Sequence, residues 1–214
     1  MTLPPVYPIL DTELLARLEL PLLDAAEALV EAGTRILQIR HKPQWTREAY
    51  HAATELASYC RAAGVTFIVN DRADIAAMLG AGLHLGQDDL PPPQARTIIG
   101  AQAILGFSTH NEQQLQEATN EPANYLALGP IYATGSKLNP DPVVGLEELR
   151  RLKPMTGTRP LVAIGGITLD TAPDVWRAGA DSIALIADLF RVPDKRAIKA
   201  RMETWLKLAA ALVP

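Results

Sequence analysis

The sequence predicts an α/β protein of the TIM (β/α)8 barrel class, with residues 1–214 forming a single domain. Three observations carry that expectation. Eight short, apolar, β-rich runs recur along the chain, segments of helical periodicity separate them, and polar residues gather where the runs end.

The first run is "VYPIL" (6–10), followed by "LPLLDAAEALVEAG", whose apolar residues repeat at helical spacing and whose Gly33 suits a helix end. "RILQIR" (35–40) is the second, and "TREAYHAATELASYCRAAG" after it closes on Gly64 in the same way. "TFIVN" (66–70) and "GLHLG" (82–86) are the third and fourth runs, joined by the very short helical segment "ADIAAMLGA". "AILGFS" (103–108) and "NYLALG" (124–129) follow, then the helical "GLEELRRLK", and finally "LVAIGG" (161–166) and "SIALIA" (182–187). Alternation of this kind predicts parallel strands joined by right-handed crossovers. Periodicity does not decide whether the sheet closes, so a doubly wound open sheet is the competing architecture. The last segment, "AIKARMETWLKLAAAL", repeats Ile198, Met202, Trp205 and Leu206 at helical spacing, a face turned to the core or to a partner.

Composition sets bounds on function. Apolar residues make up 48 % of the chain and charged residues 21 %, an ordinary globular balance. A net charge of -4 gives no general attraction to nucleic acid or to anionic membranes, so any phosphate must be held by a local site. The single cysteine, Cys60, sits in a helical pattern and reads as a buried structural thiol, which fits a reducing compartment. No signal-peptide pattern and no apolar run of membrane-spanning length is present, so the expected location is cytoplasmic. The sequence leaves a homo-oligomer open.

In a barrel of this class the carboxyl ends of the strands and the loops after them build the active site. Gln38, Arg40 and Lys42 are spaced by two, so an extended chain turns all three to one face, where a strand flanked by helices should be apolar. Two cations on that face suit an anion. By the same alternation Gly82, His84 and Gly86 face the lumen, with His84 at the mouth. Asn70 and Asp71 end the third run, and Asp88 and Asp89 follow the fourth. Carboxylates on neighbouring loops suit magnesium, which takes one or two carboxylates and completes its shell with water and phosphate oxygens. Asp71 and Asp89 are also well placed to be helix N-caps, and spacing alone does not separate these readings. Zinc is disfavoured for want of a Cys/His cluster.

Ser108 and His110 end the fifth run, where Ser108 could equally be a cap. The loop from Gly129 to Gly145 carries Thr134, Ser136 and Lys137, and hydroxyls with one ammonium suit a phosphate. Gly165 and Gly166 end the seventh run, where backbone amides of such barrels commonly meet phosphate. Trp45 could cover the rim. Motifs of serine hydrolases, zincins, P-loop proteins and dinucleotide-binding folds are absent from the sequence.

Taken in order, these stretches resemble the thiamine phosphate synthase family along nearly the whole chain. "QIRHK", "VNDRADIA", "GLHLGQDDL", "GFSTH", "LGPIYATGSK", "VAIGGI" and "GADSIALIADL" are each similar to a family motif, and the seven stand in the family's order. The resemblance implies a magnesium-dependent transferase that joins hydroxymethylpyrimidine diphosphate to hydroxyethylthiazole phosphate, or its carboxylated form, and releases pyrophosphate. It implies Asp71 and Asp89 as magnesium ligands, with Arg40, Lys42, Asn70, Ser108 and Lys137 on the diphosphate and Gln38 on the pyrimidine. Thr134, Ser136, Gly166 and the backbone at Ile186 and Ala187 are implied to hold the thiazole phosphate. Ala187 stands where the family usually has Ser, Ser136 where Thr is common, and the loop from Ala133 to Gly135 lacks the usual Pro. A thiazole tautomerase-like barrel and a non-catalytic thiamine-phosphate-binding barrel are the alternatives.

Overall fold

Eight parallel strands close into a barrel in sequence order, so the closed architecture holds and the open sheet does not. The computed structural model describes residues 1–134 and 141–213. The strands are β1 (Val6–Asp11), β2 (Ile36–Arg40), β3 (Thr66–Asn70), β4 (Gly82–Leu85), β5 (Leu105–Thr109), β6 (Tyr125–Leu128), β7 (Leu161–Ile164) and β8 (Ser182–Leu185). All eight coincide with the apolar runs of the sequence. Around them lie α1 (Thr12–Arg17), α2 (Leu22–Glu31), α3 (Arg47–Ala62), α4 (Ala73–Leu79), α5 (Pro92–Ile99), α6 (Glu112–Ala118), α7 (Gly145–Leu152), α8 (Ala172–Arg177) and α9 (Lys195–Leu212). None of the described helices is long and apolar enough to cross a membrane.

Strand alternation sorts the side chains into two cores. Val6, Leu10, Leu37, Ile39, Phe67 and Val69 point outward to the helices, and Tyr7, Ile9, Ile36, Ile68, Tyr125 and Val162 fill the lumen. The same alternation carries Gln38, Asn70, His84 and Ser108 on the inner face, each two residues beyond a lumen-facing position, Ile36, Ile68, Gly82 and Gly106. Register then sets their neighbours: Gln38 lies opposite Ile68, Asn70 opposite His84, and His84 opposite Gly106.

The lumen accommodates Tyr125 because Gly106 faces it, and Gly82 likewise leaves room for Ile68. A Cβ on Gly106 would lie 2.1 Å from Tyr125 Cζ and 2.5 Å from His84 Nδ1, and one on Gly82 would lie 2.4 Å from Ile68 Cδ1. Gly106→Ala therefore overpacks the lumen, and we expect a loss of about 1–3 kcal/mol in urea unfolding. Unchanged stability would show that the ring positions are not fixed.

The C-terminal helix turns inward. Ile198, Met202 and Trp205 of α9 are fully buried, with Lys195 bonded to Glu27 of α2 at 2.5 Å, so its apolar stripe is core and not a partner face. Asp194 caps the helix by accepting from the Arg196 and Ala197 amides at 3.0 Å. Cys60 is buried in α3, and desolvation pushes its thiol up to about 12, which makes it an inert structural residue.

Candidate active site

The carboxyl ends of the strands surround a cavity of about 780 Å³. Gln38, Arg40, Lys42, Asn70, Asp71, His84, Asp89 and Ser108 reach it from β2 to β5. Thr134, Gly165, Gly166, Ile186 and Ala187 reach it from the other side. Ser136 and Lys137 lie outside the described residues. A second cavity, of about 490 Å³, opens at the amino-terminal ends of β3 and β4. Small apolar side chains dominate its lining, and Arg61 there is pinned to the Leu79 carbonyl at 3.1 Å, so it gathers no reactive set.

On the β2 side the cations are held by carboxylates. Arg40 pairs with Asp11, the last residue of β1, whose other oxygen caps α1 through the Leu14 amide at 2.9 Å. Lys42 Nζ donates to Asp71 Oδ2 at 2.5 Å, and Asn70 Nδ2 donates to Asp71 Oδ1 at 2.5 Å. Gln38 is deeper, 2 % exposed, and donates through Nε2 to the Tyr7 hydroxyl at 2.9 Å.

Neither acidic residue caps a helix. The N-cap of α4 is Arg72 and that of α5 is Pro91, both without a side-chain cap bond. Asp71 instead adopts a left-handed backbone, φ 64°, while its amide donates to the His84 carbonyl at 2.8 Å. That conformation is uncommon for a side-chain-bearing residue, and Asp and Asn tolerate it best. Asp89 Oδ2 accepts from the Gly86 amide at 2.6 Å, which folds the turn back and brings the Asp89 carboxyl against that of Asp71. Asp88, by contrast, is exposed.

Burial, reinforced by the neighbouring Asp71 carboxylate, pushes Asp89 up to about 6. Two hard oxygen donors that repel each other beside a cavity fit a divalent cation of the magnesium type. Among the described residues no group of three or more His, Cys, Asp or Glu forms a metal cage, so water and ligand oxygens would have to complete such a shell. The raised value has a sign. Folding favours protonated Asp89, so its ionisation weakens the metal-free protein as pH rises from the ordinary carboxylate range through about 6. Asp89→Asn keeps an acceptor for Gly86 and removes the repulsion. Allowing for solvent screening at this half-buried group, we expect it to stabilise the metal-free protein by about 1 kcal/mol at pH 7 and by nothing at pH 4. Urea unfolding at both pH values checks this, and equal effects would place the repulsion elsewhere.

Ser108 does not cap either, since α6 is capped by Asn111. Its hydroxyl bonds His84 Nε2 at 2.8 Å, while His84 Nδ1 meets the Tyr125 hydroxyl at 3.0 Å. Desolvation pushes the His84 imidazole down to about 4, so the ring is neutral at physiological pH. It lies beneath the mouth more than at its rim, stacked on Tyr125 with ring centroids 5.6 Å apart. His110 faces the opposite wall, with Nδ1 2.6 Å from the Gly129 carbonyl and 3.5 Å from Asp141.

On the β7 side both glycines have positive φ, 101° at Gly165 and 65° at Gly166. A Cβ there would lie 2.5 Å from Pro130 Cβ or from the Ala133 carbonyl oxygen. Glycine is therefore required by the approach of the chain's own 130–133 segment, whether or not a ligand comes near. After β8 a short 3-10 turn, Ala187–Phe190, carries buried Asp188, held by Arg201, Trp205 and Arg191. Trp45 packs edge-on against His41, at 5.0 Å between centroids, and does not line the cavity.

Sequence patterns alone miss part of this site. Asp11 ends a strand and obeys the rule that singles out Asp71, so a signal for it was present. Tyr7 and Tyr125 carry none, because their roles depend on strands distant in sequence.

Comparison with known proteins agrees with this architecture. The family model described as thiamine monophosphate synthase matches residues 6–189. A protein of Koribacter versatilis named thiamine-phosphate synthase is 50 % identical over 173 residues, covering 80 % of this chain and 81 % of the relative. One of the same name from Laribacter hongkongensis is 39 % identical, covering 90 % of each chain. The solved thiamine phosphate pyrophosphorylase of Pyrococcus furiosus superposes with a TM-score of 0.84 at 30 % identity, covering 98 % of this chain and 96 % of that one. With the family model spanning β1 to the turn after β8, and relatives matched over most of their length, the chain belongs to the thiamine monophosphate synthase family.

Proposed function

We propose that this transferase of thiamine biosynthesis joins hydroxymethylpyrimidine diphosphate to hydroxyethylthiazole phosphate, plain or carboxylated, giving thiamine phosphate and pyrophosphate. The observation that carries the reading is the division of one cavity into two unlike walls. Arg40, Lys42, Asp71 and Asp89 crowd charge onto the β2–β4 wall, where a diphosphate with a divalent cation would be neutralised. The β7–β8 wall offers Gly165, Gly166, Ile186 and Ala187, suited to a smaller phosphorylated partner. Small-molecule substrates in the cytoplasm are the partners this reading requires.

Asp71 and Asp89 would hold magnesium, which supplies charge neutralisation at the diphosphate when bound. The remaining work falls to the chain. As the methylene C–O bond breaks, its electron pair leaves on pyrophosphate, and Arg40, Lys42 and Lys137 stabilise that growing charge more than they stabilise the ground state. Asp11 holds the Arg40 guanidinium by an ion pair, and Asp71 does the same for the Lys42 ammonium. The electron-rich aminopyrimidine supports the carbocation-like centre that remains. The lone pair of the thiazole nitrogen then forms the new C–N bond, so the enzyme's task is positioning and no general base is needed. A neutral, hydrogen-bonded His84 agrees with that economy. Ala187, without a hydroxyl, leaves the backbone amide as that position's contribution.

The test is direct. Purified protein mixed with both substrates and magnesium should form thiamine phosphate and pyrophosphate in equal amounts. Thiazole isomerisation without coupling would favour the tautomerase-like reading, and tight binding without turnover a regulatory one.

A further inference from the structure

Five polar groups beneath the cavity touch one another in a single file. Gln38 Nε2 donates to the Tyr7 hydroxyl at 2.9 Å, the Tyr7 and Tyr125 hydroxyls lie 2.9 Å apart, the Tyr125 hydroxyl lies 3.0 Å from His84 Nδ1, and His84 Nε2 lies 2.8 Å from Ser108 Oγ. Both tyrosines are buried within the lumen. The file is built into the barrel, since Gly106 is the position at which any side chain would strike both Tyr125 and His84.

We infer that Gln38, Tyr7, Tyr125, His84 and Ser108 form one polarised hydrogen-bond relay. In it, Tyr7 and Tyr125 act as positioning residues that set which face Gln38 and Ser108 present to the substrate.

The count of protons along the file sets its polarity. A phenol has one proton to donate. Because Tyr7 accepts from Gln38, its own proton goes to Tyr125, and the proton of Tyr125 goes to His84 Nδ1. A neutral imidazole that accepts at Nδ1 carries its proton on Nε2, and that proton goes to Ser108 Oγ. The Ser108 proton is thereby left to donate into the cavity, and the carbonyl oxygen of Gln38 is left as its acceptor. If the Gln38 amide turns over, every bond reverses or one buried bond is lost. Donor or acceptor character at Gln38 is thus coupled to that at Ser108 on the far side of the lumen.

The consequence deepens, and rests on, the function proposed above. An aminopyrimidine diphosphate offers a donor to Gln38 and an anionic acceptor to Ser108, the pair that this polarity serves. An analogue with an oxo group in place of the amino group demands the reversed relay at one end and the original at the other.

The relay can be read without any activity, from the 15N spectrum of the His84 ring in the full-length protein at neutral pH. We expect the Nε2–H tautomer in the wild type. Gln38→Glu, whose carboxylate can only accept from Tyr7, should switch it to Nδ1–H. Tyr7→Phe should make the tautomer insensitive to residue 38. An Nδ1–H tautomer in the wild type, or the same tautomer with Gln and Glu at position 38, overturns the proposal. The wild-type spectrum decides even where a variant fails to fold. In turnover, Tyr7→Phe should raise KM for the pyrimidine diphosphate by about tenfold, the effect of one lost buried bond, while KM for the thiazole phosphate is unchanged. Should wild-type protein make no thiamine phosphate yet show the Nε2–H tautomer, the assigned reaction fails and the relay stands.

Discussion

Asp71→Asn should lower kcat/KM on the order of 10³-fold while the barrel stays folded. The residue stands where three interactions meet: the Lys42 ammonium at 2.5 Å, the Asn70 amide at 2.5 Å, and the carboxyl of Asp89. Removing its charge takes away half of the proposed cation site and frees Lys42 from the partner that orients it. Asparagine is the informative substitution because the backbone at this position is left-handed, φ 64°, which Asn tolerates and most residues do not. Asp71→Ala removes the same charge and adds about 1–2 kcal/mol of backbone strain, so its activity loss mixes chemistry with stability. Steady-state kinetics over a magnesium titration, beside thermal melts, separate the two. Loss of activity should persist at saturating magnesium in the asparagine variant. Wild-type turnover there would refute the metal and orienting roles together.

Lys137→Ala should cost about 10²–10³-fold in kcat, with little change in KM for the pyrimidine diphosphate. The reason is where the charge develops. The ground-state diphosphate is already anionic and is met by Arg40 and Lys42, so a third cation matters most as the leaving group gains a further negative charge. Lys137 lies outside the described residues, and its role rests on the loop motif; Thr134, three residues before it, lines the cavity. Lys137→Arg should retain part of the rate, since the charge remains though its geometry changes. Single-turnover measurement of pyrophosphate release checks both variants, and rates equal to wild type would sink the assignment.

Part of the site is legible in the sequence because strand geometry is local. Spacing by two puts Gln38, Arg40 and Lys42 on one face, and the same alternation sends His84 to the lumen. The barrel rule then makes strand ends the place to look. What local geometry does not resolve is the choice between two uses of the same residue type. Asp71 and Asp89 read equally as helix caps, and the choice turns on the backbone: the caps fall to Arg72 and Pro91, and a left-handed turn at Asp71 aims its carboxylate at the cavity. Gly165 and Gly166 read as glycines for a ligand's sake, and the 130–133 segment already requires them.

By itself, then, the sequence determined the order of the elements, the inward or outward sense of each strand residue and the family motifs, all of which depend on neighbours within a few positions. Tertiary structure decided sheet closure, the meeting of the two carboxylates, the pairing of Arg40 with Asp11, and the file that runs from Gln38 through Tyr7, Tyr125 and His84 to Ser108. These join residues of different strands, Tyr7 and Tyr125 of β1 and β6 among them. The contacts between neighbouring strands follow from register, the bond between Tyr7 and Tyr125 exists because closing the barrel places opposite walls within hydrogen-bond reach, and no pattern along the chain encodes either distance.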